Sequence, residues 1–127
     1  MATFSASWSS ASSLRSAAAL NTGSSLNDDL NLATDGGFEC ELTDAITIGS
    51  GTPAGDVTIY LYGSADGGTT IDTEPLLVRK IAFSTTGTKT VTLRGIRGSW
   101  TRRTITNSTG ANATLTTKYR YLEQVSA

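Results

Sequence analysis

The chain has 127 residues and a formal charge of −1, from 10 Lys and Arg against 11 Asp and Glu, with no histidine and one cysteine. That length fits one domain with a core of its own, and the near-neutral charge excludes the one-signed field that a phosphate-neutralising protein needs. With histidine missing and no cluster of acid, base and nucleophile in view, binding or building is expected, and neither catalysis nor a cofactor nor a metal is.

Residues 1–35 are dominated by Ser, Ala, Asn and Asp and hold no period of 2 or 3.6. They read as an extended N-terminal arm ahead of a β-sandwich domain over residues 36–127. Phe4 and Trp8 share one side of an extended segment and would anchor the arm. Leu14 to Leu20, with three successive alanines, allows a short helix. Leu26, Leu30 and Leu32 are the expected first pinned contacts, and Asp28-Asp29 reads as a capping or solvated acidic pair. No basic segment followed by an apolar run opens the chain, and no stretch approaches the roughly 18 apolar residues of a spanning helix, so neither a secretory signal nor a membrane span is expected.

From Phe38 to Ile48, apolar Phe38, Cys40, Leu42, Ile46 and Ile48 alternate with Glu39, Glu41, Thr43 and Thr47. A period of two describes a strand with one dry and one wet face. Cys40 therefore reads as a small buried hydrophobe. Asp44 falls on the dry face, where a carboxylate must find donors, and a bulge or the edge of the sandwich is its expected place. Glu39 and Glu41, about 7 Å apart along the strand, lie on the ordinary solvent face and not across a sugar as a catalytic pair would.

Turn signals then recur about every ten residues, which is the spacing of a sandwich or barrel. Strands are expected over Val57–Tyr62, Leu76–Phe83, Lys89–Arg94, Trp100–Thr106 and Ala113–Tyr121. In the second of these, Ile81 and Phe83 oppose Leu76 and Val78, which suggests a bulge or cover on both faces. Asp66-Gly67-Gly68 supplies one carboxylate where a calcium loop supplies several, so it reads as a plain turn. Arg79-Lys80 and Arg102-Arg103 read as solvated charges that protect sheet edges. Tyr60 with Tyr62, and Tyr119 with Tyr121, each share a strand face and suit a subunit interface better than a sugar platform. Asn107-Ser108-Thr109 and Asn112-Ala113-Thr114 match the glycosylation acceptor pattern but are discounted without a secretory signal.

Strands joined by short turns close most naturally as an all-β, antiparallel β-sandwich of jelly-roll-like type, here with the extended N-terminal arm. Asp56-Val57-Thr58-Ile59-Tyr60-Leu61-Tyr62, the Ser64-Ala65-Asp66-Gly67 turn, Ile105-Thr106-Asn107-Ser108-Thr109-Gly110, and the late Tyr119 and Tyr121 together resemble small tailed-bacteriophage virion structural proteins, over roughly residues 35–122. The resemblance implies a capsid cement or decoration protein made in the host cytoplasm and carried on the capsid surface of the virion. It implies a homo-oligomer, a trimer by preference, bound to the major capsid protein or another virion protein, while the near-neutral charge and the lack of a long apolar stretch argue against nucleic acid and membrane as partners. Partner contacts would fall to the arm anchors Phe4, Trp8, Leu14 and Leu20 and to Tyr60, Tyr62, Trp100, Tyr119 and Tyr121. If the arm orders only on docking, deleting residues 2–20 leaves the sandwich folded. The alternatives are a tail, baseplate or fibre component, or a carbohydrate-binding module.

Overall fold

The computed structural model describes residues 4–32, 37–97 and 100–126. Every element among them is a strand: β1 (Phe4–Trp8), β2 (Ser12–Leu20), β3 (Ser25–Asn31), β4 (Gly37–Ile48), β5 (Gly55–Gly63), β6 (Leu77–Phe83), β7 (Gly87–Arg97), β8 (Trp100–Asn107) and β9 (Ala113–Ser126). All pairings are antiparallel. The first sheet runs β2-β9-β4-β7, with β1 continuing the β2 edge along the far half of β9, and the second runs β3-β8-β5-β6. The pairs β2·β9, β3·β8, β4·β7 and β5·β6 are nested like one long hairpin, and rolling that hairpin up adds β4·β9 and β5·β8. This is jelly-roll order, built on the two-layer sandwich that the strand spacing predicted.

Alternation along each strand decides which face is dry. Cys40, Leu42, Ile46 and Ile48 on β4, Val57, Ile59 and Leu61 on β5, and Ile105 and Leu115 on β8 and β9 are all at most 4% exposed. Each such side chain stabilises the fold by roughly 1.5–3 kcal/mol. On the wet face of the first sheet, hydroxyl pairs span β4 and β7, Thr43 with Thr92 at 3.1 Å and Thr47 with Thr88 at 2.8 Å. Cross-strand pairs of this kind add a few tenths of a kcal/mol each, to about 1.

The N-terminal segment is part of the sandwich and not an arm outside it. Leu20, Leu30 and Leu32 lie in the core, and Leu14 and Leu26 pack against it. The helix allowed over Leu14–Leu20 is strand β2, whose register along β9 shifts twice and whose Ala17 has a φ of +47°. Those irregularities erase the period of two from the sequence. β6 likewise corrects its reading: its register with β5 is unbroken, and Leu76 and Val78 are exposed at 66% and 45%.

At one corner Asn107 is fully buried and satisfied. Its amide nitrogen donates to the carbonyls of Leu20 and Ala111, both at 2.8 Å, and its Oδ1 accepts from Thr109 N–H at 3.0 Å and Thr109 Oγ1 at 2.7 Å. A buried amide with all these partners closes the β8–β9 turn and leaves no nitrogen for a glycan.

Candidate partner-binding face and buried charge network

On the outer face of the second sheet, strand register assembles residues that lie far apart in sequence. Tyr60 sits opposite Thr104 on β8 and Val78 on β6, and Tyr62 opposite Arg102. The two tyrosine rings stack with centroids 6.2 Å apart and planes 22° from parallel. Across β8, Thr104 donates to Asn27 Oδ1 at 2.7 Å, and Asp29 takes two bonds from Arg102, at 2.8 and 3.2 Å. The hydrogen bond to Asp29 holds the Arg102 guanidinium above its ordinary pKa. Arg102 also lies 5.6 Å from the Trp100 ring centroid.

Trp100 closes one end of this face and is 8% exposed. The loop after β5 covers it. Asp66 Oδ1 accepts from Thr70 N–H at 2.7 Å, and Ser64 Oγ accepts from Gly68 N–H at 2.9 Å, so side chains tie the turn. Those bonds, first from the Thr70 backbone and then from the Thr70 and Ser64 side chains, lower the Asp66 pKa. Gly68, at φ +98°, brings its backbone against the indole, where a Cβ would meet ring atoms at 2.6 Å. Asp66 is thus a turn residue, as the sequence predicted.

The largest exposed apolar side chains lie beside this face, at the start of edge strand β6: Leu76, Leu77 and Val78 at 66, 41 and 45%. They are not a frayed tip, because Leu76 N–H donates to the Leu61 carbonyl at 2.6 Å. Farther along β6, Arg79 and Lys80 are exposed on the same sheet edge, where backbone groups are open to pairing and charge discourages it.

Arg103 corrects the reading of Arg102-Arg103 as solvated edge charges. β8 is a central strand, and Arg103 is fully buried between the sheets. Its Nη1 donates to Asp44 Oδ1 on β4, and its Nη2 to Asp28 Oδ2 on β3 and, at 3.1 Å, to Thr117 Oγ1 on β9. Thr117 donates in turn to Asp44 Oδ1 at 2.6 Å, and Arg15 on β2 donates to Asp28 Oδ1 at 2.9 Å. Arg103, Asp44 and Asp28 therefore offset one another's charge in the interior, and Arg15 closes the network at its partly exposed end. Asp44 lies at neither a bulge nor an edge, and Asp28 is neither a cap nor solvated. Thr101 Oγ1, Arg103 Nε and Asp44 Oδ2 are buried without a hydrogen-bond partner among the described residues.

The nine candidate contact residues separate into distinct places. Tyr60, Tyr62 and Trp100 share the outer face just described. Trp8 is partly buried on β1, with the Arg120 guanidinium 4.5 Å from its ring centroid, and Leu14 packs against the core. Leu20 is in the core and Tyr119 is 9% exposed, so these two lie inside, while Tyr121 is partly buried and packs on the core beside Tyr119, on the first sheet and apart from Tyr60 and Tyr62. The side chain of Phe4 lies outside the described residues. Sequence reasoning missed Asn27, Asp29, Leu76 and Val78 as neighbours of the tyrosines, because cross-strand register alone brings them together. Among the described residues, no three His, Cys, Asp or Glu side chains group as metal ligands would.

No family model matches the chain, and no curated protein does. Among solved structures, one described as "Bacillus endospore appendages form a novel family of disulfide-linked pili" is similar at 15% identity and a TM-score of 0.46, over 97% of this chain and 91% of that one. The Yersinia pseudotuberculosis-derived mitogen is similar at 9% identity and a TM-score of 0.48, over 94% of this chain and 86% of that one. Both neighbours are β-rich, and neither points to a phage virion protein in particular.

Proposed function

We propose that this chain is a non-enzymatic assembly protein of a virion surface, of capsid cement or decoration type, and that it attaches through the outer face of its second sheet. The observation that carries the reading is the stacked Tyr60–Tyr62 pair beside exposed Leu76 and Val78. Aromatic rings next to unpartnered apolar side chains, rimmed by polar groups, have the make-up of an interface core. The resemblance of the Asp56–Tyr62 strand and the turn after it to virion proteins supplies the setting. Many copies on a symmetric shell would add weak contacts into a strong one.

A glycan is the second reading, favoured by one feature of the same face: Asn27, Asp29, Thr104 and Arg102 flank the two nearly parallel rings as polar groups flank a stacked sugar. Light scattering of the purified chain, alone and mixed with capsids that lack it, separates the two. A trimer that saturates those capsids, and fails to do so after Val78→Asp or Tyr60→Ala, supports the cement reading. A monomer indifferent to capsids overturns it, and glycan binding lost on Tyr60→Ala would then establish the second reading.

A further inference from the structure

A cleft of about 320 Å³ opens between the two sheets at the end where β6 and β7 begin to part. Its walls come from two independent features of the fold. On the first sheet, Cys40 pairs with Ile96 and Leu42 with Leu93, so Glu41 alone faces both Arg94 and Gly95. That is a β-bulge, with Gly95 at φ +71°, and a bulge bends its strand away from the ladder. On the second sheet, the Leu76-to-Leu61 hydrogen bond fixes the first turn of chain into β6 as a stiff lip.

Leu61, Leu76, Leu77 and Ile96 make the lining mostly apolar, and Thr101 lines it as well. The Thr101 hydroxyl is buried, in a residue 2% exposed, and has no hydrogen-bond partner among the described residues. Deeper along the same inward face of β8, Arg103 Nε and the Oδ2 of its ion-pair partner Asp44 are also buried without a partner among the described residues, but neither residue lines the cleft. Of these buried groups without a partner among the described residues, Thr101 is the one that lines the opening, and its hydroxyl is a donor with no acceptor there.

The charges argue that this acceptor is neutral. Arg103 is already matched by Asp44 and Asp28, and a carboxylate added in the interior beside them would be a buried charge without a counter-ion. Arg94 and Arg97 also line the cleft, at its mouth, and each already has a carboxylate partner, Glu41 and Glu39. We propose that the cleft is a binding site for a small uncharged molecule with an apolar chain and one oxygen that accepts a hydrogen bond, the class of a medium-chain alcohol. Its volume is at the lower end of the roughly 300–1,000 Å³ of small-molecule sites. The opening lies between the sheets and not on the tyrosine face, although Leu76 belongs both to its lining and to the proposed attachment face.

The test is a titration of the folded chain with octan-1-ol, and in parallel with octanoate at neutral pH, followed by methyl NMR shifts of Leu61, Leu77 and Ile96. Saturable one-to-one shifts at these methyls are expected, with octanoate weaker by about tenfold or more and Thr101→Val weaker by about five- to tenfold, the worth of one hydrogen bond. Leu77→Glu, on the exposed lip where folding tolerates it, is expected to abolish the shifts. Absence of saturation, shifts located elsewhere, equal affinity for octanoate, or full affinity in Thr101→Val would each overturn the site.

Discussion

Asp44 holds two donors on a single oxygen, Arg103 Nη1 and Thr117 Oγ1, in a place no water reaches. Replacing it with leucine strands the Arg103 guanidinium with Asp28 as its one remaining counter-ion, and Asp28 is shared with Arg15. Breaking such a buried pair from one side costs roughly 3–5 kcal/mol, whereas replacing both partners by apolar residues is often near neutral. Asp44→Leu is therefore expected to lower stability by about that amount in urea unfolding with little change in slope, and Asp44→Leu with Arg103→Met to recover more than half of the loss. Equal losses in the single and double variants would refute the coupling. Half of this pair was legible in the sequence, since the alternation of β4 put Asp44 inside and required a donor. The other half was there to be read: Ile105 marks the odd positions of β8 as inward, and Arg103 is one of them. What hid it was the habit of reading adjacent arginines together, although successive residues of a strand face opposite ways.

At the scale of elements, β4 and β5 were legible because each faces the core along its whole length with a hydrophobic alternation of its own. β2 and β3 were not. Each is an edge strand that buries a few leucines, and β2 adds two register shifts, so the contrast between its faces is weak locally and is supplied by β9. The loop after β5 was legible as a turn, but its place over Trp100 was not, since the tryptophan lies more than thirty positions on. That loop carries a pH dependence. Asp66 is held below its ordinary value of 3.8 by hydrogen bonds from Thr70 and Ser64, so the ionised form is the one the folded loop prefers. Its contribution is complete above the unfolded value and is lost as pH falls through the lower folded value. In a Trp8→Phe background, Trp100 fluorescence is expected to shift to the red as pH drops below 3.8, and Asp66→Asn to remove that component of the titration. A shift unchanged in Asp66→Asn would assign it to other carboxylates.

For the molecule as a whole, the place of the first twenty residues decides how the chain can work. An arm that orders only on docking would be dispensable for folding, and its deletion would leave an intact sandwich. Here β1 and β2 together line nearly the whole of β9, and Leu20 is fully buried in the core. Removing residues 2–20 opens a long stretch of β9 backbone and leaves a cavity where Leu20 packed, and a bare strand edge over an exposed apolar core pairs with whatever is near. The truncated chain is expected to be unfolded or aggregated by circular dichroism and size-exclusion chromatography under conditions in which the intact chain is folded. A well-folded, monodisperse truncation would return β1 and β2 to the role of a detachable arm. If instead the truncation collapses, the proposed attachment falls to faces that the finished sandwich leaves open, and Leu76, Leu77 and Val78 beside the Tyr60–Tyr62 pair are exposed apolar side chains there.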